Sequence, residues 1–238
     1  MDFYRNENEN KQSVTFTDDQ SAAIDELISF IAATWSDKDF IRGLCGPGGT
    51  GKTFVTKYII ENCKYSHSVI KCTAPTHKAC RVLNNAIGNI RNVETIQSTF
   101  GLRLDLKLED FDPERPQFNP IAGPKLDNIK LLIVDEASML PAKLVKYIIS
   151  TCKKLNIKII FQGDSFQLPP VGEKQSYAFT QCYKTNYLNE IVRQGNDNPI
   201  RDILSILRED IKNKTYRFLE FISKLCSPNK SEKKFWEK

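Results

Sequence analysis

Eight consecutive residues constrain this chain more than anything else in it. Gly46-Pro47-Gly48-Gly49-Thr50-Gly51-Lys52-Thr53 fills the pattern G-x-x-x-x-G-K-[ST] without a mismatch. The apolar run Phe40, Ile41, Gly43, Leu44 and Cys45 precedes it, and Phe54, Val55, Tyr58, Ile59 and Ile60 recur at helical spacing behind it. Strand, glycine-rich turn and helix in that order form a cradle for a polyphosphate. The glycines let successive backbone N–H groups wrap the phosphates at a helix N-terminus. The Lys52 ammonium reaches the β- and γ-phosphates, and the Thr53 hydroxyl is a ligand for Mg2+. Gly46, Gly48, Gly49, Thr50, Gly51, Lys52 and Thr53 are therefore the expected nucleotide-binding residues.

The length suits one α/β domain with appendages. A chain of 238 residues with 40% hydrophobic content can bury a full core. No stretch approaches the roughly 18 apolar residues of a membrane span, so no membrane partner is expected. Residues 1–14 read as a disordered tail; Met1 to Lys11 is polar, rich in Asn and Glu, and lacks the apolar centre of a signal peptide. Seven cysteines without a C-x-x-C pair, and two histidines, point to a reducing compartment and away from a zinc site. A cytoplasmic location, the host's for a viral protein, is the expectation. The net charge of +5 is compatible with a nucleic-acid partner, although Lys230, Lys233, Lys234 and Lys238 gather in the terminal stretch.

Along the chain, strand-like and helix-like segments alternate, as in a parallel sheet covered by helices. Thr17 to Trp35 reads as a helix opened by a capping box of Thr17 and Gln20. Strands are expected over Val69 to Ala74, Leu131 to Val134 and Ile157 to Phe161, and a short one near Tyr183 to Leu188. Helices are expected over His77 to Ile87, Leu144 to Leu155, Pro199 to Arg208 and Tyr216 to Leu225. The polar, proline-marked stretch 103–128 interrupts the alternation as an insertion. The core then divides into 15–102 and 129–210, followed by a C-terminal helix and basic tail over 211–238. A parallel sheet of five strands, or a similar number, is the expected centre.

Two further runs carry chemistry. Leu131-Leu132-Ile133-Val134 ends in Asp135-Glu136, so two carboxylates face the crevice where strand C-termini gather. Asp135 would hold the Mg2+ hydration shell, and Glu136 would orient or deprotonate an attacking water. The second run is Ile159-Ile160-Phe161-Gln162-Gly163-Asp164-Ser165-Phe166-Gln167-Leu168-Pro169-Pro170-Val171. The amide of Gln167 can donate to a γ-phosphate and accept from the attacking water.

G-D-x-x-Q-L-P-P-V, with G-P-G-G-T-G-K-T, A-P-T-H-K-A and V-D-E-A-S-M, resembles superfamily 1 DNA helicases of the RecD-like and Dda-like branch. The resemblance runs from Phe16 to about Arg208 and implies a RecA-like P-loop ATPase domain with a small β-hairpin insertion. It also implies ATP with Mg2+ and 5′-to-3′ movement on single-stranded DNA. Phe16-Thr17-x-x-Gln20 resembles the motif whose glutamine reads adenine; the competing reading is that Gln20 closes a capping box, one side chain serving one partner at a time. Ala74-Pro75-Thr76-His77-Lys78-Ala79 resembles a motif under single-stranded DNA, which makes Pro75, Thr76 and His77 candidate contacts. Thr95-Ile96-Gln97-Ser98 resembles another, with Gln97 where many relatives have histidine, and adds Thr95 and Ser98.

The insertion lies where such helicases carry the hairpin that separates the duplex. Phe111 and Phe118 are then either rings that stack on an unpaired base at the duplex junction or hydrophobic anchors of the hairpin. Leu188-Asn189-Glu190-Ile191-Val192-Arg193-Gln194 resembles the motif whose arginine reaches toward the γ-phosphate, so Arg193 joins Lys52, Glu136 and Gln167 as a candidate catalytic group. No run resembles the second RecA-like domain, which in this family supplies another arginine finger and half of the DNA track. The expectation is a motor half that binds ATP and needs that domain, supplied in trans, for fast hydrolysis; one missing arginine finger costs on the order of 10³ to 10⁵ in rate. A non-enzymatic single-strand binder is the alternative, and the intact set Lys52, Thr53, Asp135, Glu136, Gln167 and Arg193 argues against it.

Overall fold

The computed structural model describes residues 15–88, 93–104, 118–167, 175–192 and 199–213, together with 170, 173, 215 and 217. Six parallel strands form its centre: β1 (Ile41–Cys45), β2 (Ile70–Ala74), β3 (Glu94–Thr95), β6 (Leu131–Val134), β7 (Lys158–Gly163) and β8 (Lys184–Tyr187). Their order across the sheet is β3-β2-β6-β7-β1-β8. The sixth strand beyond the expected five is β3, whose two residues are too short to leave an apolar run in the sequence. Two three-residue strands, β4 (Leu102–Leu104) and β5 (Phe118–Pro120), pair antiparallel outside this sheet.

The central strands are apolar on both faces, as burial on both sides requires. Leu131 and Ile133 of β6 and Ile160 of β7 enter one core with Leu44. Leu132, Val134, Ile159 and Phe161 point the other way into a second core. The first core is covered by α1 (Asp18–Ala32), α2 (Lys52–Asn62) and α3 (His77–Ala86), through Leu27, Ile31, Val55, Ile59 and Leu83. Over the second lie α4 (Ile96–Thr99), α5 (Ala142–Lys154) and α6 (Tyr177–Thr180), through Ile96, Leu144, Val145, Ile148 and Ala178. A last helix, α7 (Pro199–Asn213), extends past the Pro199 to Arg208 span; of Tyr216 to Leu225 only Arg217 is described. No helix among the described residues is long and apolar enough to cross a membrane.

Among the described residues the predicted strands and helices of the alternation are present, with ends moved by a few residues; the helix expected over Tyr216 to Leu225 lies outside them apart from Arg217. Thr17 caps α1, and both halves of the capping box with Gln20 are formed. Within the 103–128 insertion, β4 and β5 make a two-stranded stem whose register is Leu102↔Pro120 and Leu104↔Phe118. The chain then returns to the body. Ile121 and Ala122 N–H groups donate to Gly101 O, the Lys125 N–H donates to Thr99 O, and Leu126 is buried in the second core. Gly101 is obligatory at this crossing: its φ is 61°, and a Cβ would sit 2.5 Å from Ala122 O.

Among the described residues, Lys158 is the most deeply buried charged side chain. Lys158 begins β7 at 1% exposure, and its ammonium donates to Phe30 O, to Ile31 O at 3.4 Å and to Ala33 O at 2.6 Å. A cation on the last carbonyls of α1 satisfies groups that a helix leaves unbonded and complements the helix dipole. Lys158→Ala removes these bonds and the buried stem together, and should lower stability by about 2–4 kcal/mol in denaturant unfolding. Lys158→Met keeps the stem and should cost about half as much; equal losses would mean that the ammonium's bonds alone matter, and no loss with Met that only packing does.

Candidate nucleotide site and nucleic-acid edge

Because all six strands run the same way, their C-terminal ends share one edge of the sheet, and the sequence motifs follow those ends. The turn after β1 is the loop Gly46 to Gly51, and α2 begins at Lys52. Gly49 and Gly51 take left-handed φ values of 87° and 83°, which fold the chain back on itself before the helix. The loop is held from several sides. Gly46 N–H donates to Gly163 O (3.1 Å), Val192 N–H to Gly49 O (2.9 Å), and Thr50 Oγ1 to Pro47 O (2.9 Å). Gln20, buried on α1, donates Nε2 to Thr50 O at 2.9 Å while its Oε1 accepts from Thr17 N at 3.2 Å. The amide thus serves the capping box and the loop at once. A Cβ at Gly48 would meet nothing within 4 Å, so that side of the loop is open.

Lys52 Nζ lies inside this turn, donating to Gly46 O (2.7 Å) and Pro47 O (3.0 Å). Burial pulls its pKa down, against the charges of Asp164, Glu136 and Asp135, which favour the ammonium. Asp135 and Glu136 follow β6, with β7 between them and the loop strand β1. The intervening strand supplies a residue to which the sequence reading assigned no role. Gln162 is fully buried on β7; its Nε2 donates to Asp135 Oδ1 at 2.9 Å, and its Oε1 accepts from Thr56 Oγ1 of α2. Thr56 stands one helical turn beyond Thr53, so the amide ties the phosphate-loop helix to the acidic strand. The only hint in the sequence is a lone glutamine closing an apolar strand.

Burial raises the pKa of both carboxyls; for Glu136 the neighbouring Asp135 charge adds to it. Glu136 adopts a left-handed backbone, φ 51° and ψ 38°, and its Oε2 is buried without a hydrogen-bond partner. Beyond β7, Gln167 is exposed, donates N–H to Asp164 O (3.1 Å) and accepts from Ser138 Oγ at Oε1 (3.2 Å). The Asp164 carboxylate takes both terminal nitrogens of Arg208 from α7, at 2.9 and 3.1 Å, and the guanidinium lies 4.5 Å above the Phe166 ring. No local pattern marks Arg208, 44 residues further along. Thr53 is half-buried in the first turn of α2. Arg193 lies outside the described residues, directly after Val192 on the loop.

At the far end of the same edge, β2 and β3 are neighbours, with Ala74 in register with Thr95. Thr76 and His77 are exposed where α3 begins, Pro75 is half-buried, and Thr76 Oγ1 caps the helix by accepting from Ala79 N (3.1 Å). Thr95 is buried and caps Ser98 N (3.2 Å), while Ser98 Oγ donates to Glu94 Oε2 (3.0 Å). The fold therefore brings together the two motifs expected to contact a single strand, with β6 and β7 between them and the phosphate-loop strand. Phe111 lies outside the described residues; Phe118 is in β5, where its backbone pairs with Leu104.

A family profile described as an AAA domain matches residues 15–223. The chain belongs to that family. The ATP-dependent DNA helicase dda of Enterobacteria phage T4 is 33% identical over 169 residues, covering 68% of this chain and 36% of the relative. An uncharacterized protein of Methanocaldococcus jannaschii is 33% identical over 178 residues, 74% of this chain and 14% of its own length. Among solved structures, the Bacteroides Pif1 helicase in complex with ADP-AlF3 and ssDNA superposes with a TM-score of 0.53 at 22% identity, over 82% of this chain and 47% of that one. These likenesses identify the fold as the first RecA-like half of the superfamily 1 helicase type. The chain spans less than half the length of the curated relatives it matches.

The acidic pair has a stability consequence whose sign is fixed. Glu136 ionises at higher pH when folded than when unfolded, so the folded state holds more protons above the ordinary value of 4.5 and stability falls as pH rises through that window. Glu136→Gln removes the buried charge and should raise Tm at pH 7.5 by a few degrees, on the scale of about 2–4 °C per kcal/mol for a domain of this size. The gain should shrink toward pH 4.5. A lower Tm at pH 7.5 would mean that the carboxylate supports the fold.

Proposed function

We propose that this chain is the ATP-binding motor half of a DNA helicase that acts on single-stranded DNA, moves 5′ to 3′ and opens duplex at a junction, with a second RecA-like domain required for full activity. The observation that carries this reading is that Lys52 lies within the electrostatic reach of Asp135 and Glu136 at the strand C-terminal edge of the sheet, the edge that also presents Thr76 and Ser98. The phage relative named as an ATP-dependent DNA helicase and the Pif1 complex with ADP-AlF3 and ssDNA support it.

Mg2+ fits the donors present. It takes one or two carboxylates plus substrate phosphates rather than a protein cage, and no group of three or more His, Cys, Asp or Glu forms a cage among the described residues. Thr53 and Asp135 would hold it, and when bound it neutralises charge on the β- and γ-phosphates. Lys52 exchanges its two loop carbonyls for phosphate oxygens, at little conformational expense because the ammonium is already in the turn. Glu136 has a partnerless oxygen and a raised pKa, both suited to taking a proton from the attacking water. Gln167 keeps its NH2 group for the γ-phosphate while Ser138 holds its carbonyl oxygen. Arg193 follows a residue bonded to the loop and stabilises transition-state charge. Gln20 acts on the nucleotide through the position of Thr50 as well as through any contact with adenine.

The test is ATP binding and turnover with and without single-stranded DNA. The isolated chain should bind ATP–Mg2+ and turn it over slowly, and DNA should accelerate turnover when a second RecA-like domain is added. Lys52→Ala should weaken ATP binding by about tenfold or more, the loss of a charge-assisted contact of about 1.5–3 kcal/mol, with Tm nearly unchanged. ATP binding that survives Lys52→Ala, or that GTP matches, would sink the assignment.

A further inference from the structure

The β2–β3 end of the sheet edge, read above as a single-strand contact, contains an anion of its own. Glu94 Oε1 lies 3.3 Å from Lys71 Nζ; its Oε2 lies 3.3 Å from Lys125 Nζ and accepts from Ser98 Oγ at 3.0 Å. Lys125 Nζ also donates to Ser98 Oγ at 3.2 Å, closing the cluster. Two ammonium groups and a hydroxyl converging on one singly charged, multi-oxygen acceptor form the donor set that a phosphodiester uses. The register Thr73↔Glu94 and Ala74↔Thr95 puts the cluster beside the stretch that leads to Thr76 and the start of α3.

We propose that the Glu94 carboxylate is a built-in competitor for a backbone phosphate of single-stranded DNA, and that Lys71, Lys125 and Ser98 become phosphate ligands when a strand displaces it. This rests on the single-strand reading of that edge. The exchange is isoelectric, one anion leaving the lysines and one arriving, so the two ammonium groups stay partly neutralised whether or not DNA is bound. Lys125 is well exposed and Glu94 partly so, and such pairs are individually weak, so displacement opposes binding only modestly. It also means that the cluster brings less net positive charge to the strand, so fewer of the DNA's condensed cations are released, which flattens the salt dependence of binding. A weak, partly self-neutralised contact lets a strand be gripped and let go.

The experiment is fluorescence anisotropy of the full chain with labelled oligo(dT) across a salt series, with thermal melting to confirm folding of each variant. Glu94→Gln should tighten binding about threefold or more at low salt, and steepen the slope of log affinity against log salt by about one. Two controls separate local release from bulk charge. Asp127→Asn changes the charge equally on the same exposed loop as Lys125, where none of the described bonds joins it to the cluster, and should give a clearly smaller gain. In a Lys125→Gln background the Glu94→Gln gain should shrink, as coupled neighbours require. Unchanged or weaker binding by Glu94→Gln, or equal gains from Asp127→Asn, would overturn the inference while leaving the single-strand reading intact. If neither the wild type nor any variant binds oligo(dT), that reading falls and takes this inference with it.

Discussion

The arrangement of the site depends on one buried amide. Gln162 sits on the strand between the phosphate-loop strand and the acidic strand, and its two ends reach Thr56 and Asp135. An ionised carboxylate only accepts, so the NH2 end must face Asp135, and the carbonyl end is left for the Thr56 hydroxyl. That polarity fixes the orientation of the amide without adding a charge to a region that already holds several. A second lysine or carboxylate in its place would carry a large desolvation penalty or shift every neighbouring pKa. The neutral amide spans the gap and sets the spacing between α2 and the acidic pair.

Around it the protein keeps groups that a fold alone would not choose. Lys52 is buried against its own loop carbonyls, Asp135 and Glu136 are carboxylates whose ionisation burial opposes, and Glu136 holds a left-handed backbone with an oxygen lacking a partner. Each is unfavourable by itself, and strained or partnerless groups of this kind gather where function requires them. The surrounding structure can hold them because the two cores on either face of the sheet are apolar and dense, with Leu131 to Val134 and Ile159 to Phe161 feeding both.

Much of this was legible in the sequence, for a definite reason. The loop, the acidic pair and the Gln167 turn are each contiguous, so local chemistry and the strand–turn–helix context suffice to find them, and short continuous apolar runs and helical apolar spacing locate the strands and helices between. The residues that escaped act across the sheet. Gln162 and Thr56 are 106 positions apart, and Asp164 and Arg208 are 44 apart; neither pair has a short-range signature. Strand β3 escaped because two residues cannot display a period. Gln20 is legible in the sequence as a capping-box residue, while its bond to Thr50 O, 30 positions away, has no local signature. The structure shows an amide doing two things, because its donor and acceptor ends face opposite ways.

The same separation of donor and acceptor explains how the turn after β7 links distant parts. Asp164 offers its backbone oxygen to Gln167, one carboxylate oxygen to the Phe166 N–H as well as to Arg208, and the other to Arg208 alone, while its charge supports the Lys52 ammonium. Gln167 is thereby placed between Ser138, just past the acidic pair, and a turn whose outer side is pinned to α7 by a two-pronged ion pair stacked on Phe166. A bidentate pair fixes angle as well as distance. Any shift of Gln167 toward a phosphate must therefore be accommodated at α7 or at Ser138, because the Asp164 turn joins the two. The sheet edge that carries the phosphate loop and the last described helix are mechanically one unit, and the residue that makes them so is an aspartate the sequence presents merely as the second letter of a motif.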